Sequence, residues 1–248
     1  MALQIKRLLI TAKGESPVRI GGTRDPIRGV DLPMATVAGR PVIPGTSLKG
    51  ALRAQLEQYL LGLSTSNQTL KPCIPASKPS KTEEALQGYR KGGACSAQVE
   101  EQAGDEGKPA TETICPVCYL LGAQGLEGFV RVPFLIASIA QEELVGIAID
   151  RGSGTVRGGA NWKYEFAPTS TVFTGVLEIT LTYSGRDWEL GKPRPGFEKQ
   201  DGWLANGEWT AEKIEKELVK ERLESIQILG GFKSKGFGKV KITVEPAK

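Results

Sequence analysis

The sequence predicts an α+β protein built on an antiparallel sheet. Three observations lead there. Strand-like and helix-like segments interleave as β-β-α…β-β-α-β, without the strict βαβ repeat that a parallel sheet needs. Gly- and Pro-containing turns separate the strand segments. The 248 residues are 40% apolar and 24% charged, enough for a substantial core, and no apolar run approaches the roughly 18 residues of a membrane span. The start of the chain is strand-like rather than signal-like, so a soluble, cytoplasmic protein with no membrane partner is expected.

Taken in order, residues 3–12 form a first strand that runs into a polar turn near Gly14, and residues 18–20 form a second, short one. A loop spans residues 21–40. Thr46 and Ser47 are suited to N-cap a helix from Leu48 to Leu61, with Leu48, Leu52, Leu56 and Tyr59 or Leu60 as its apolar face. On a neighbouring face of its first turns lie Lys49 and Arg53, four apart, where the helix dipole and free N–H groups favour an anion; the pair reads as a phosphate clamp. Residues 63–113 shift to Ser, Lys, Pro, Gly, Gln and Glu with little apolar periodicity, an inserted segment in need of an external staple.

Ordered structure resumes at Cys115-Pro-Val-Cys118, with strands expected over residues 130–137 and 145–149. Residues 150–160 make a basic, glycine-rich hairpin projecting from the body, and residues 164–166 and 172–183 return to the sheet. Trp188, Trp203 and Trp209 lie in a turn-rich stretch and are expected to cover core. An amphipathic helix over residues 211–226 points Ile214, Leu218 and Leu223 inward, and a final strand closes the chain.

Charge and chemistry narrow the function. The net charge is +4, but residues 1–63 carry nine Lys/Arg against four Asp/Glu, and the run Leu229-Gly-Gly-Phe-Lys-Ser-Lys-Gly-Phe-Gly-Lys-Val-Lys-Ile242 has four glycines, four lysines and no acid. Its glycines let backbone approach a ligand, its lysines supply charge for phosphate, and its phenylalanines can anchor the loop or stack on a base. The same composition also fits an ordinary surface turn between strands. The chain has no histidine, which excludes Ser-His-Asp and Cys-His machinery and leaves carboxylates, lysine, hydroxyls or metal for any catalysis. Of the four cysteines, Cys115 and Cys118 form a CxxC knuckle and Cys73 and Cys95 lie in the inserted segment. A four-thiolate structural zinc site is the favoured reading; partial metal binding and unrelated or redox thiols are the others.

Several of these motifs, in this order, strongly resemble the RAMP superfamily, and most of all the backbone subunit of type III CRISPR effector complexes. They are Ile20-Gly-Gly22, Gly29-Val-Asp-Leu-Pro33, Ile43-Pro-Gly-Thr-Ser-Leu-Lys-Gly-Ala-Leu-Arg53, Cys115-Pro-Val-Cys-Tyr-Leu-Leu-Gly122 and Gly230-Gly-Phe-Lys-Ser-Lys-Gly-Phe-Gly-Lys-Val240, and together they cover nearly the whole chain. The resemblance implies one RAMP domain over residues 1–248 with an RRM-like, ferredoxin-like antiparallel palm. It also implies a zinc-stapled, cysteine-containing subdomain over residues 64–118 and a thumb hairpin over residues 150–165. Such a subunit polymerises head to tail along a CRISPR guide RNA, beside other effector subunits, and presents the guide to single-stranded target RNA in antiviral defence.

By the same resemblance, Lys49, Arg53, Gly230, Gly231, Lys233, Lys235, Gly236 and Lys239 fall on RNA-binding positions, and Arg24, Arg157 and Lys163 are expected to bind RNA as well. Zinc-bound cysteines also occur in the family, often with a histidine; here Cys73, Cys95, Cys115 and Cys118 must supply every ligand. Asp31 matches the loop that carries the target-cleaving aspartate, with Asp25 as a weaker candidate; either can instead cap a turn. A carboxylate there can hold Mg2+ or Mn2+ near a scissile phosphate while a kinked duplex aligns the ribose 2′-OH. The alternatives are a non-catalytic structural or capping RAMP subunit, a guide-processing endoribonuclease, or a CxxC oxidoreductase.

Overall fold

The computed structural model describes residues 2–24, 29–65, 67–97 and 111–247. Two compact units divide the chain. One comprises Met1–Leu8, Leu52–Val132 and Leu177–Leu223; the other comprises Leu9–Ala51, Pro133–Val176 and Glu224–Lys248.

Strand β1 (Gln4–Gly14) alternates buried and exposed residues as a half-buried strand should. The short pair β2 (Thr36–Val37) and β3 (Arg40–Ile43) follows, turned by Ala38 and Gly39 at positive φ. With β5 (Leu135–Ala137), β8 (Val172–Thr182) and β9 (Val240–Pro246) they form a sheet in the order β2-β3-β5-β8-β1-β9. The β2–β3, β3–β5 and β5–β8 pairs are antiparallel. Ile10, Ala12, Met34, Ile43, Leu135, Phe173 and Val244 are buried, all within the second unit. Residues 130–137, expected as one strand, form two: β4 (Val130–Arg131) pairs with Glu178 and Ile179, β5 with Phe173 and Thr174. Pro133 lies between them, where its missing N–H cannot serve a ladder.

Residues 18–20 do not make a ladder strand. Val18 forms a single bridge to Ala167, and the segment runs extended between other elements. The projecting hairpin is longer than expected: β6 (Glu142–Ile149) and β7 (Val156–Phe166) form a sheet of their own, which takes in residues 164–166 as well. Asp150 closes its turn by accepting the N–H groups of Gly152 and Ser153.

Helix α1 (Gly45–Leu63) starts earlier than the capping residues suggested. The Pro44 carbonyl accepts from the Ser47 and Leu48 N–H groups, so Thr46 and Ser47 sit inside the first turn. Its apolar face is as expected, with Leu48, Leu52, Leu56 and Leu60 all fully buried. The first unit adds the small helices α2 (Lys81–Glu84) and α3 (Pro116–Leu121). The described part of the insertion is better packed than its composition implied, since Leu70, Cys73, Ile74, Cys95 and Ala97 are buried.

Trp188, Trp203 and Trp209 are buried as expected, and Tyr119 packs against Phe129 (4.7 Å) and Trp203 (5.3 Å). The last helix begins as α4 (Ala211–Lys213), capped by Thr210, passes through a π segment (Ile214–Lys220) and ends as α5 (Glu221–Glu224). The inward residues Ile214, Leu218 and Leu223 are spaced four and then five apart. An α-helix loses such a face, and a π turn keeps it. Strand order and chain order together give β1, α1, β5, β8, the last helix and β9, with β9-β1-β8-β5 neighbouring one another in the sheet.

Candidate RNA interface and metal centre

The glycine- and lysine-rich run is the tip of a hairpin whose arms are held by the Leu229 N–H to Gly238 carbonyl bond (2.8 Å) and the Val240 N–H to Gln227 carbonyl bond (2.9 Å). Residues 15–19 fasten it from the side. The Arg19 carbonyl accepts from Gly231 N–H, the Pro17 carbonyl from Gly238 N–H, and the Lys239 carbonyl from Glu15 N–H, each at 2.8 Å. Glycine is required at two of these points. At Gly230 (φ +90°) a Cβ would lie 2.3 Å from the Arg19 carbonyl oxygen, and at Gly238 (φ +88°) 2.4 Å from that of Leu229.

Inside the turn, Phe232 and Phe237 meet edge to face at 5.7 Å, and Tyr164 of β7 packs on both, at 5.5 and 6.2 Å. The phenylalanines are therefore anchors, not free stacking platforms. Lys233, Ser234, Lys235, Gly236 and Lys239 are exposed. Lys235 Nζ reaches over the Phe232 ring at 4.4 Å.

Asp31 is tied to the base of the β6–β7 hairpin. Its Oδ2 accepts the Lys163 N–H (2.9 Å), the next residue forms a parallel bridge with Tyr164, and Glu165 N–H donates to the Leu32 carbonyl. Arg24 Nε donates to the Asp31 carbonyl (2.9 Å), and its Nη2 lies 3.6 Å from Asp31 Oδ1, with the arginine side chain largely open to solvent and the aspartate half-buried. Asp31, Arg24 and Lys163 thus share one place, one bridge away from the aromatic cluster under the lysine turn. Asp25 lies outside the described residues.

Two residues that sequence reasoning passed over join these parts. Arg19 is buried, donates from Nη2 to the Pro33 carbonyl (3.3 Å) and stacks on Phe232 at 4.8 Å; burial pulls its pKa down, against the pull of Glu165. The Glu165 carboxylate, also buried, accepts the Met34 N–H at 2.9 Å. Isolated charged residues in strand-like sequence carry no local signal that they will be buried at a junction.

Of the other basic candidates, Lys49 is exposed on the first turns of α1 and Arg157 on β7. Arg53 is different. Its side chain is only 19% exposed; Nε donates to Glu57 (2.7 Å), Nη2 to Cys73 Sγ (3.4 Å) and Nη1 to Cys118 Sγ (3.9 Å). Arg53 is thus turned to the cysteines rather than set as a clamp with Lys49.

Cys73, Cys95, Cys115 and Cys118 are all buried, and their four sulfurs lie within 4.8 Å of one another. A tetrahedral zinc with Zn–S near ~2.3 Å needs S···S separations of about 3.8 Å, and Cys73 and Cys118 stand at 3.5 Å. The geometry and the all-sulfur donor set fit structural zinc, held by these four residues. The thiols divide into two pairs: hydrogen bonds from Cys115 and Cys118 hold Cys73 far below the usual thiol range and lower Cys95 to about 7, while burial drives Cys115 up and Cys118, against its bond from Cys115, is raised by its bonds to Cys73 and Cys95. Burial opposes the charge on Arg53, but Cys118, Cys73 and Glu57 outweigh it and raise its pKa. Burial also raises that of Glu57. Arg90, a third residue without a sequence signal, donates to Cys95 Sγ at 2.9 Å.

Fold and sites define an α+β protein that carries an exposed lysine turn on an aromatic base and a four-cysteine centre fit for a structural metal. The chain belongs to the RAMP superfamily, whose profile matches residues 11–241. Membership points to a CRISPR-associated RNA-binding subunit. A search of curated proteins returned no match. Among the described residues no helix is long and apolar enough to cross a membrane.

Proposed function

We propose that this chain is a guide-RNA-binding backbone subunit of a type III CRISPR effector, contacting target RNA and neighbouring RAMP subunits. The observation that carries this reading is the turn at residues 230–239. Its rings are spent on anchoring, its backbone is fastened to residues 15–19, and its lysines face solvent as a rigid cation display for a sugar–phosphate strand. Gly230, Gly231 and Gly236 shape the display and Lys233, Lys235 and Lys239 supply its charge; Lys49, exposed on α1, is a further candidate cation for the guide. The strand order β9-β1-β8-β5 around two helix crossovers supports an RRM-like palm, and the β6–β7 sheet supports a thumb, with Arg157 and Lys163 along it.

Target cleavage would centre on Asp31. Its Oδ2 is occupied by the Lys163 N–H, which leaves Oδ1 toward solvent and Arg24. Bound there, Mg2+ or Mn2+ would supply charge stabilisation at a scissile phosphate. Arg24 is free to exchange its exposed partner for an RNA phosphate, and Lys163 fixes the carboxylate's orientation.

A second reading, a structural subunit that binds guide without cutting, is favoured by the same Lys163 N–H bond, because it gives Asp31 a loop-fixing role. Asp31→Asn separates the two, since the amide oxygen can still accept from Lys163 while the negative charge is lost. In the reconstituted complex, catalysis predicts intact assembly with target cleavage down at least about 100-fold. Unchanged cleavage removes the nuclease from this chain. The RNA-binding reading itself is tested by isolating the tagged protein: absence of co-purified short RNAs with a uniform 5′ sequence counts against it.

A further inference from the structure

The cysteine centre carries a charge that its own ligands cannot balance. A divalent ion ringed by four thiolates holds two net negative charges, and buried charge of this kind persists only when paired and hydrogen-bonded. Two guanidinium groups meet the sulfurs here, from different segments. Arg53, on α1, reaches Cys73 Sγ at 3.4 Å and Cys118 Sγ at 3.9 Å; Arg90, in the insertion, reaches Cys95 Sγ at 2.9 Å. The Cys115 backbone N–H adds a bond to Cys95 Sγ at 3.3 Å.

Both arginines are themselves aimed by neighbours. Glu57 takes the Arg53 Nε at 2.7 Å and is met from the other side by the Tyr89 hydroxyl at 3.4 Å, which leaves both Arg53 terminal nitrogens for sulfur. Arg90 Nη1 is held by the carbonyl and hydroxyl of Thr113, two residues before Cys115.

We propose that Arg53 and Arg90 are positioning residues of the metal centre, which neutralise the zinc–thiolate charge by N–H···S bonds, and that Arg53 serves zinc instead of guide phosphate. The inference rests on the zinc reading of the four cysteines. It assigns to Arg53 a task opposite in location to that suggested by its spacing from Lys49, and leaves Lys49 as the phosphate-facing cation of the first helix. A guanidinium suits this task where an ammonium does not, because one planar group must hold Glu57 and two sulfurs at once. Outer partners of metal ligands are worth about 10- to 100-fold in metal affinity.

The test is zinc affinity by chelator competition in the full chain, with Co2+ substitution as a spectroscopic readout. Wild type, Arg53→Gln, Arg53→Lys, Arg90→Gln and the exposed α1 control Gln58→Ala are compared. Expected are one zinc per wild-type and Gln58→Ala chain, about 10- to 100-fold weaker zinc in both arginine-to-glutamine variants, partial recovery in Arg53→Lys, and a shifted thiolate-to-Co2+ charge-transfer band. If Arg53→Gln does not fold, Arg90→Gln carries the same expectation from outside the helix. Wild-type protein without zinc overturns the metal reading and the proposal together. Zinc bound with equal affinity and unshifted cobalt spectra in folded variants overturns the proposal alone.

Discussion

Substituting Gly230 by alanine tests whether the lysine turn works as a fixed display. At φ +90° an alanine already costs about 1 kcal/mol or more. Its Cβ would also sit 2.3 Å from the Arg19 carbonyl oxygen and 3.1 Å from its carbon, inside the 3.0 Å that real Cβ atoms essentially never breach in the first case. That oxygen cannot retreat freely, because it accepts the Gly231 N–H at 2.8 Å, and the Arg19 side chain lies on Phe232. Relief means losing that hydrogen bond, about 1 kcal/mol, and shifting Phe232 off its aromatic neighbours, about 1 kcal/mol more. The sum is about 3 kcal/mol, or roughly 6–12 °C in Tm for a chain of this size. Gly236→Ala is the matched control: φ is +83°, but nothing lies within 4 Å of its Cβ, so only the conformational cost of about 1 kcal/mol applies. Thermal denaturation by circular dichroism and guide-RNA anisotropy at fixed salt read both effects. Equal Tm and equal RNA affinity for the two variants would refute the claim that close backbone approach at Gly230 sets the turn.

Two further predictions follow from charge. Replacing Lys233 and Lys235 together by alanine should flatten the dependence of log K on log salt by about 0.7 per lost phosphate contact on single-stranded RNA; an unchanged slope would mean that these lysines do not face phosphate. Asp201→Asn should cost about 3–5 kcal/mol in urea denaturation, because Arg194 and Asp201 are both wholly buried, paired at 2.6 Å, and the arginine would keep its charge under the Tyr119 and Trp188 rings without an anion. A loss below about 1 kcal/mol would show that the buried pair is compensated elsewhere.

Much of the fold was legible because it rests on local patterns. The four leucines of α1 recur at helical spacing and are all buried, and the inward residues of the last helix were correctly chosen. What failed did so where non-local bonds override local preference. Thr46 and Ser47 are good caps by residue type, yet the Pro44 carbonyl starts the helix ahead of them. Residues 18–20 look like a strand, but their backbone groups are drawn to Ala167, Gly231 and Ala35 on separate segments. The candidate site divides likewise. The four cysteines and the glycine turn announce themselves by composition, whereas Arg19 and Glu165 act through Phe232 and Met34, far away in sequence, and Arg90 through Cys95, five residues on, with no pattern that marks the pair.

By itself the amino-acid order determined the α+β class, the family motifs and the absence of any imidazole chemistry, since each depends on residue type and short spacing; that the four cysteines meet in one buried cluster took the fold. Only the tertiary structure decided which way the arginines point. Lys49 and Arg53 share a helix four residues apart, and no local rule separates them; burial beside Cys73, Cys118 and Glu57 turns one guanidinium to sulfur, while the lysine remains in solvent. Buried negative charge must be met by a cation wherever the chain can bring one, and that is a property of the folded surroundings and not of spacing.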